Sequence, residues 1–180
     1  MGDTVFDDPD GLITSLARRV VTENAAYGRT VALAESCTGG MVSTALTDVA
    51  GSSAIFEASF VTYSNQAKHD LLGVPNATLD TAGAVSPECA CAMVAGVLER
   101  TAADLAVSIT GIAGPGGGSS AKPVGTVIFG RARRGDTIER YYCSRESFGD
   151  KASRAEIRRR ATIFALRLLL PESDARHGIE

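Results

Sequence analysis

The stretch Thr30-Val31-Ala32-Leu33-Ala34-Glu35-Ser36-Cys37-Thr38-Gly39-Gly40 joins a short apolar run to a polar turn that contains two glycines. Apolar residues recur at helical spacing directly after it, so we predict a strand, a turn and a helix in that order. A strand that ends at Ser36 presents its hydroxyl at the edge of a sheet, and the N–H groups that open the helix point the same way. The junction can therefore bind an anion, or an oxyanion that forms during acyl transfer.

The same reasoning along the chain predicts alternating strands and helices. We expect helices near 9–28, 41–49, 65–73, 86–102 and 151–169, and strands near 30–35, 56–63, 105–110, 126–133 and 137–144. Asp8 is the expected N-cap of the first helix, and Arg134-Gly135-Asp136 is typical of a hairpin turn between the last two strands. This order predicts an α/β sandwich over a mixed sheet.

The composition argues against several classes of protein. The chain has 180 residues, 44% of them apolar, and a formal net charge of −3. Binding to DNA or RNA needs a basic face, a membrane span needs a longer apolar run, and a signal peptide needs a basic start. We therefore expect a cytoplasmic protein with no nucleic-acid or membrane partner. One domain is expected over residues 1–180, with a core of about 10–170 and a loose tail at 171–180.

Cysteine and histidine are scarce. The four cysteines are Cys37, Cys89, Cys91 and Cys143. They contain no CxxC pair and should be reduced in a cytoplasmic protein. Histidine occurs at positions 69 and 177 alone, so we expect no histidine-based metal site.

Ser36 is the first candidate for chemistry. A serine hydroxyl at such a junction is either a helix-capping group or a nucleophile whose proton is taken by a base. Cys37 is the rival nucleophile. For the base, His69 is one candidate, and Lys68 is the other if burial lowers its pKa, with Tyr63 placed to orient the lysine or relay a proton.

A second polar segment follows the strand near 105–110. Residues 110–118 are rich in glycine but have neither the Walker order nor a following helix. Such a loop is either a flexible connection or a backbone cradle for phosphate. Both polar segments follow predicted strands, which favours one cleft at the carboxyl ends of the sheet.

Several motifs then occur in a fixed order. They are Ala34-Glu35-Ser36-Cys37-Thr38-Gly39-Gly40, Gly51-Ser52-Ser53, Phe60-Val61-Thr62-Tyr63-Ser64-Asn65, Gly83-Ala84-Val85-Ser86, Gly111-Ile112-Ala113-Gly114-Pro115 and Lys122-Pro123-Val124-Gly125-Thr126-Val127. In these motifs the chain strongly resembles the carboxyl-terminal domain of the competence/damage-inducible CinA proteins, over about residues 10–170. That family includes stand-alone nicotinamide-nucleotide amidases.

The resemblance implies a three-layer α/β/α sandwich and a metal-independent amidase without a cofactor. The implied substrate is nicotinamide mononucleotide, which would be hydrolysed to nicotinate mononucleotide and ammonia. The implied nucleophile is Ser36, with Tyr63 and Lys68 as its partners.

On this basis we expect oxyanion donors near Thr38, Gly39 and Gly40. The substrate phosphate would lie against the loop that contains Thr110, Gly111 and Gly114. One arginine of Arg154, Arg158 and Arg159 would also bind it, and we favour Arg158. We expect a homodimer or other homo-oligomer. The alternatives are a non-catalytic nucleotide-binding module of the same fold and an amidase for a different amide.

Overall fold

The structure is a computed structural model that describes residues 9–171. The predicted cap at Asp8 and the predicted tail beyond Pro171 lie outside the described residues, as does His177. No helix within 9–171 is long and apolar enough to cross a membrane.

The described chain contains six α-helices and five β-strands. Their order is α1 (Pro9–Ala26), β1 (Val31–Glu35), α2 (Met41–Thr47), β2 (Phe56–Val61), α3 (Asn65–Leu72), α4 (Asn76–Thr81), α5 (Pro87–Arg100), β3 (Leu105–Gly111), β4 (Thr126–Arg133), β5 (Tyr142–Ser147) and α6 (Arg154–Leu168). The predicted alternation is confirmed, and α4 is an addition that apolar periodicity did not indicate.

The strands form one mixed sheet in the order β2-β1-β3-β4-β5. Strands β2, β1 and β3 run parallel to one another, with Glu35 opposite both Val61 and Ile109. Strand β4 pairs antiparallel with β3, and β5 pairs antiparallel with β4. The parallel strands therefore end side by side. This register places the segments that follow them, which begin at Ser36, at Thr62 and near Thr110, along one edge of the sheet.

Helices cover both faces of the sheet, which confirms the three-layer sandwich. The core on the side of α1, α2 and α6 contains large strand residues such as Leu33, Val107 and Phe129. The core on the side of α5 contains strand residues that are mostly alanine, including Ala34 and Ala106. Small residues let α5 approach the sheet closely.

Three local features differ from the predictions. The turn at 134–136 forms, but Arg134 then donates hydrogen bonds to the carbonyl groups of Leu98, Thr101 and Ala103. A 3₁₀ turn at Ile138–Arg140 follows, so β5 begins at Tyr142 instead of near 137. The last helix begins at Arg154, because the Ser153 hydroxyl accepts a hydrogen bond from the Glu156 N–H.

The cysteine prediction is also corrected. A disulfide joins Cys91 of α5 to Cys143 of β5, while Cys37 and Cys89 are free and buried. The two bridged residues are far apart in sequence, and the packing of α5 on the β5 side of the sheet brings their Cα atoms to 6.9 Å. Spacing along the chain contains no sign of this pairing.

Candidate active site

Ser36 lies directly after β1 at the carboxyl edge of the sheet. Its backbone N–H donates to the Ile109 carbonyl over 2.9 Å, which continues the β1–β3 pairing by one residue. Its side chain is 7% exposed and lines a cavity of about 220 Å³. The Oγ atom accepts a hydrogen bond of 3.0 Å from the Lys68 Nζ atom. Ser36 therefore has a potential base at hydrogen-bonding distance.

Lys68 reaches this cavity from α3. The helix is capped at one end by the Ser64 hydroxyl, which accepts from the Ala67 N–H, and ends at Gly73 in a left-handed conformation. The side chain of Lys68 is 1% exposed, and Nζ also donates to the Thr62 carbonyl over 2.8 Å. Burial lowers the pKa of Lys68 because an ammonium group loses hydration. A neutral amine at this position can accept the Ser36 proton.

Tyr63 follows β2 and also lines the cavity, but its contacts differ from the predicted ones. Its side chain is 61% exposed, and its hydroxyl accepts a hydrogen bond of 2.6 Å from the Arg154 Nη2 atom. Lys68 is oriented by the Thr62 carbonyl instead. The structure therefore brings Tyr63 to the same cavity as Ser36 and Lys68, as a partner of Arg154.

Cys37 is less suited than Ser36 to act as the nucleophile, and His69 is less suited than Lys68 to act as the base. Cys37 lines the cavity, but burial raises the pKa of its thiol to about 12, so it is protonated and weakly nucleophilic at neutral pH. His69 is not among the residues that line the cavity, and its Nδ1 atom contacts the Val74 carbonyl at 3.0 Å. These positions favour Ser36 over Cys37 and Lys68 over His69.

Glu35 is a residue whose role the sequence reasoning missed. It is the last residue of β1 and is fully buried. Its carboxylate accepts hydrogen bonds from the N–H groups of Gly40, Val42 and Ser43 at 2.9–3.2 Å, and a longer one from the Ser59 hydroxyl. Helix α2 begins after Gly40, which has no side chain, so Glu35 supplies the missing cap. A charged residue that ends an apolar strand was the available signal.

This cap changes the set of possible oxyanion donors. The Gly40 N–H is occupied by Glu35, and the Gly39 N–H donates to the Ser36 carbonyl over 3.0 Å. Among residues 9–171, no backbone acceptor pairs with the N–H groups of Cys37 and Thr38, and the Cys37 N–H interacts with its own thiol, a weak acceptor. Of Thr38, Gly39 and Gly40, which were predicted to supply oxyanion donors, Thr38 alone has an N–H group that no backbone acceptor occupies. The Cys37 N–H is a second candidate donor.

The carboxyl end of β3 forms another wall of the cavity. Thr110 and Gly111 line the cavity, and the Thr110 hydroxyl donates to the Ala84 carbonyl over 2.7 Å. Gly114, a predicted site residue, is not among the residues that line the cavity, but its carbonyl accepts a hydrogen bond of 2.8 Å from the Nη1 atom of Arg154, which does line it. The remainder of the glycine-rich loop, from Pro115 to Ser120, is not among the residues that line the cavity.

The three candidate arginines of α6 point to three different places. Arg154 lines the cavity and bridges Tyr63 and Gly114. Arg158, which the sequence reasoning favoured, donates instead to the carbonyl groups of Cys37 and Thr38 at 3.1 and 2.7 Å. Arg159 pairs with the carboxylate of Asp10 in α1. Among the three, Arg154 is the one whose guanidinium faces the cavity.

The chain matches known proteins over most of its length. A family model described as the CinA C-terminal domain matches residues 13–172. A protein of Escherichia coli K12 called nicotinamide-nucleotide amidohydrolase PncC is 50% identical over 161 residues, which is 89% of this chain and 94% of that protein. The protein of the same name from Enterobacter agglomerans is 50% identical over 82% of this chain and 87% of its own.

A solved structure agrees with the sequence matches. The crystal structure of the competence/damage inducible protein CihA from Agrobacterium tumefaciens superposes with a TM-score of 0.84 at 47% identity. It covers 88% of this chain and 94% of its own.

Proposed function

Because this chain belongs to the CinA C-terminal domain family, we propose that it hydrolyses the carboxamide of nicotinamide mononucleotide to nicotinate mononucleotide and ammonia. The observation that carries the proposal is the hydrogen bond of 3.0 Å between Lys68 Nζ and Ser36 Oγ in a cavity at the carboxyl edge of the sheet. Relatives that share half of its residues are named for this reaction. The chain itself carries a nucleophile and a base in contact.

The reaction begins with Ser36. Its Oγ atom bonds to the carboxamide carbon while neutral Lys68 takes the hydroxyl proton, and the carbonyl electron pair moves onto oxygen. The N–H groups of Cys37 and Thr38 are the donors available to the resulting oxyanion. When the tetrahedral intermediate collapses, the carbon–nitrogen bond breaks and the nitrogen leaves as ammonia with the proton from Lys68.

Deacylation repeats these roles. Water attacks the nicotinoyl ester of Ser36, and Lys68 accepts the water proton. The ester bond then breaks, and the proton held by Lys68 returns to Ser36 Oγ, which restores the free enzyme. The product carboxylic acid gives the remaining water proton to solvent and leaves as the carboxylate. Each half of the cycle therefore uses Lys68 first as a base and then as an acid.

Arg154 is the group best placed to recognise the substrate phosphate. Its guanidinium faces the cavity from the first turn of α6, a helix of fifteen residues whose N-terminus carries partial positive charge. Tyr63, Thr110 and Gly111 complete the walls beside it. The phosphate role assigned to Arg158 from the sequence thus moves to Arg154 in this proposal, and the loop at Gly114 contributes through its bond to Arg154.

The test is an ammonia-release assay on the purified protein. We expect release from nicotinamide mononucleotide, weaker release from the riboside and from nicotinamide, and no effect of a chelator. Ser36→Ala should abolish release. Binding of the mononucleotide by calorimetry without ammonia release would instead favour a non-catalytic module. Equal rates with nicotinamide and the mononucleotide would indicate an amidase for a different amide. The expected homodimer stays a prediction that light scattering can test.

A further inference from the structure

Arg158 has a defined structural task that the proposed reaction leaves unexplained. It reaches from α6 to the loop after β1, where Nε donates to the Cys37 carbonyl and Nη2 to the Thr38 carbonyl. The side chain is half-buried and does not line the catalytic cavity. We propose that Arg158 is a positioning residue that orients the two oxyanion donors of the Ser36 loop. The inference rests on the proposed function.

The argument follows from the geometry of the peptide group. In a trans peptide the carbonyl of one residue and the N–H of the next point in opposite directions, and the one cis peptide within 9–171 is Gly114–Pro115. By holding the Cys37 carbonyl on the α6 side, Arg158 turns the Thr38 N–H away from α6.

The second hydrogen bond of Arg158 acts one peptide further along. It holds the Thr38 carbonyl and so determines the direction of the Gly39 N–H, which donates to the Ser36 carbonyl over 3.0 Å. That bond in turn determines the direction of the Cys37 N–H, because the Ser36 carbonyl and the Cys37 N–H belong to one peptide. The directions of both N–H groups are therefore set by contacts that begin at the Arg158 guanidinium.

Glu35 excludes another group of backbone N–H donors from binding the oxyanion. Its carboxylate occupies the N–H groups of Gly40, Val42 and Ser43, so the first turn of α2 cannot supply the oxyanion donors. The loop is thereby held from two sides, by Glu35 within its own strand and by Arg158 from α6. Arginine suits this task because its planar fork donates in two directions at once, whereas a lysine ammonium offers one compact donor.

Loss of the Arg158 contacts should lower kcat without changing substrate binding. Donors that bind the oxyanion act on the transition state, so misdirecting them lowers kcat and leaves ground-state binding unchanged. Loss of one such donor typically lowers the rate about 10²–10³-fold, and a misplaced one costs less. We therefore expect Arg158→Gln to lower kcat about 10–100-fold with KM within about twofold of wild type.

The experiment compares three arginine variants of α6 in the ammonia-release assay with nicotinamide mononucleotide. Arg158→Gln should lower kcat alone, and Arg154→Gln should raise KM. Arg159→Gln is the matched control with unchanged kinetics, because Arg159 contacts Asp10 away from the cavity. Arg158→Lys, which keeps the charge and one donor, should retain an intermediate kcat and remains informative if Arg158→Gln unfolds. A raised KM with normal kcat in Arg158→Gln, or unchanged values of both, would overturn the proposal.

A second measurement separates this inference from the choice of substrate. A fluorophosphonate probe phosphonylates an active serine: Ser36 Oγ bonds to phosphorus, fluoride leaves, and Lys68 takes the hydroxyl proton. The phosphoryl oxygen needs the same donors in this step, so Arg158→Gln should label Ser36 at least tenfold more slowly than Arg159→Gln, as measured by mass spectrometry. If wild type labels but releases no ammonia from the mononucleotide, the proposed function fails. Equal labelling rates in the two variants would contradict the positioning role itself.

Discussion

Lys68 Nζ lies 3.0 Å from Ser36 Oγ, although the two residues are 32 positions apart in sequence and belong to different elements. The contact forms because β1 and β2 end side by side, and α3 folds back over the sheet edge directly after β2. Nζ has a second acceptor in the Thr62 carbonyl, so the amine is held in place on two sides. A buried amine in this position is suited to proton transfer with Ser36.

Substitution of the two neighbouring candidate nucleophiles should give opposite results. Ser36→Ala removes the hydroxyl and should lower kcat by at least about 10³-fold, since nucleophilic catalysis is lost. Cys37→Ala should keep kcat within about threefold, because the raised thiol pKa leaves Cys37 protonated at neutral pH. The measurement is steady-state ammonia release for both variants. Activity that survives in Ser36→Ala and disappears in Cys37→Ala would transfer the nucleophile to Cys37.

The reaction should also depend on pH through Lys68. The amine must be neutral to accept a proton, and burial lowers its pKa below the usual lysine value. We therefore expect kcat/KM to rise as the pH increases through the lowered pKa of Lys68 and to become constant above it. A pH profile of kcat/KM measures this directly. Lys68→Met should lose activity at every pH, and wild-type kcat in that variant at neutral pH would disprove the role of Lys68 as the base.

Glu35→Gln should weaken the loop that carries Ser36. The variant keeps the shape of the side chain but replaces a charged acceptor of three N–H groups with an amide that has one acceptor oxygen. We expect the free energy of unfolding to fall by about 2 kcal/mol, the usual range for hydrogen bonds to a buried charge. Urea unfolding measures it, with Glu99→Gln, at an exposed position of α5, as the matched control. A Glu35→Gln protein as stable as Glu99→Gln would refute the capping role.

Gly96→Ala should destabilise the protein and displace Lys68. An added Cβ at Gly96 of α5 would lie 2.0 Å from the Leu72 carbonyl oxygen at the end of α3, so the two helices must separate. Overpacking of this kind typically costs about 1–3 kcal/mol, although alanine is normally the better helix former. Thermal unfolding and kcat should both fall. Gly116→Ala, which meets no atom within 4 Å, is the control for stability. A Gly96→Ala variant with higher stability would show that the helices adapt.

Local patterns were sufficient for most of the fold. The strand, the turn at Ser36 and the following helix are confirmed because each depends on residues that are neighbours in sequence: β-branched and small apolar residues in the strand, and glycines with positive φ at positions 39 and 40. The predicted start of β5 near 137 was wrong because a 3₁₀ turn at Ile138–Arg140 precedes the strand. The side chain of Arg134, in the turn after β4, bonds to the carbonyl groups of Leu98, Thr101 and Ala103, and a short stretch of sequence does not reveal such contacts between distant segments.

The arginines of α6 show the same limit within the site. Helical spacing placed Arg154, Arg158 and Arg159 on one helix, but the direction of each guanidinium depends on which acceptors the rest of the chain presents. Tyr63 and Gly114 hold Arg154, Cys37 and Thr38 hold Arg158, and Asp10 holds Arg159. These partners come from four separate parts of the sequence. A choice among the three arginines therefore required the packed helix.

The sequence by itself determined the α/β class and the order of strands and helices along the chain. Those properties follow from backbone preferences and apolar periodicity, which act over a few residues. The expectation of an amidase came instead from the resemblance of the ordered motifs to a known family. Only the tertiary structure decided the burial of Lys68, the capping contacts of Glu35 and the different hydrogen-bond partners of Arg154 and Arg158. The physical reason is that burial and hydrogen-bond partners, which set a pKa or the direction of an N–H, come from segments that meet only when the chain folds.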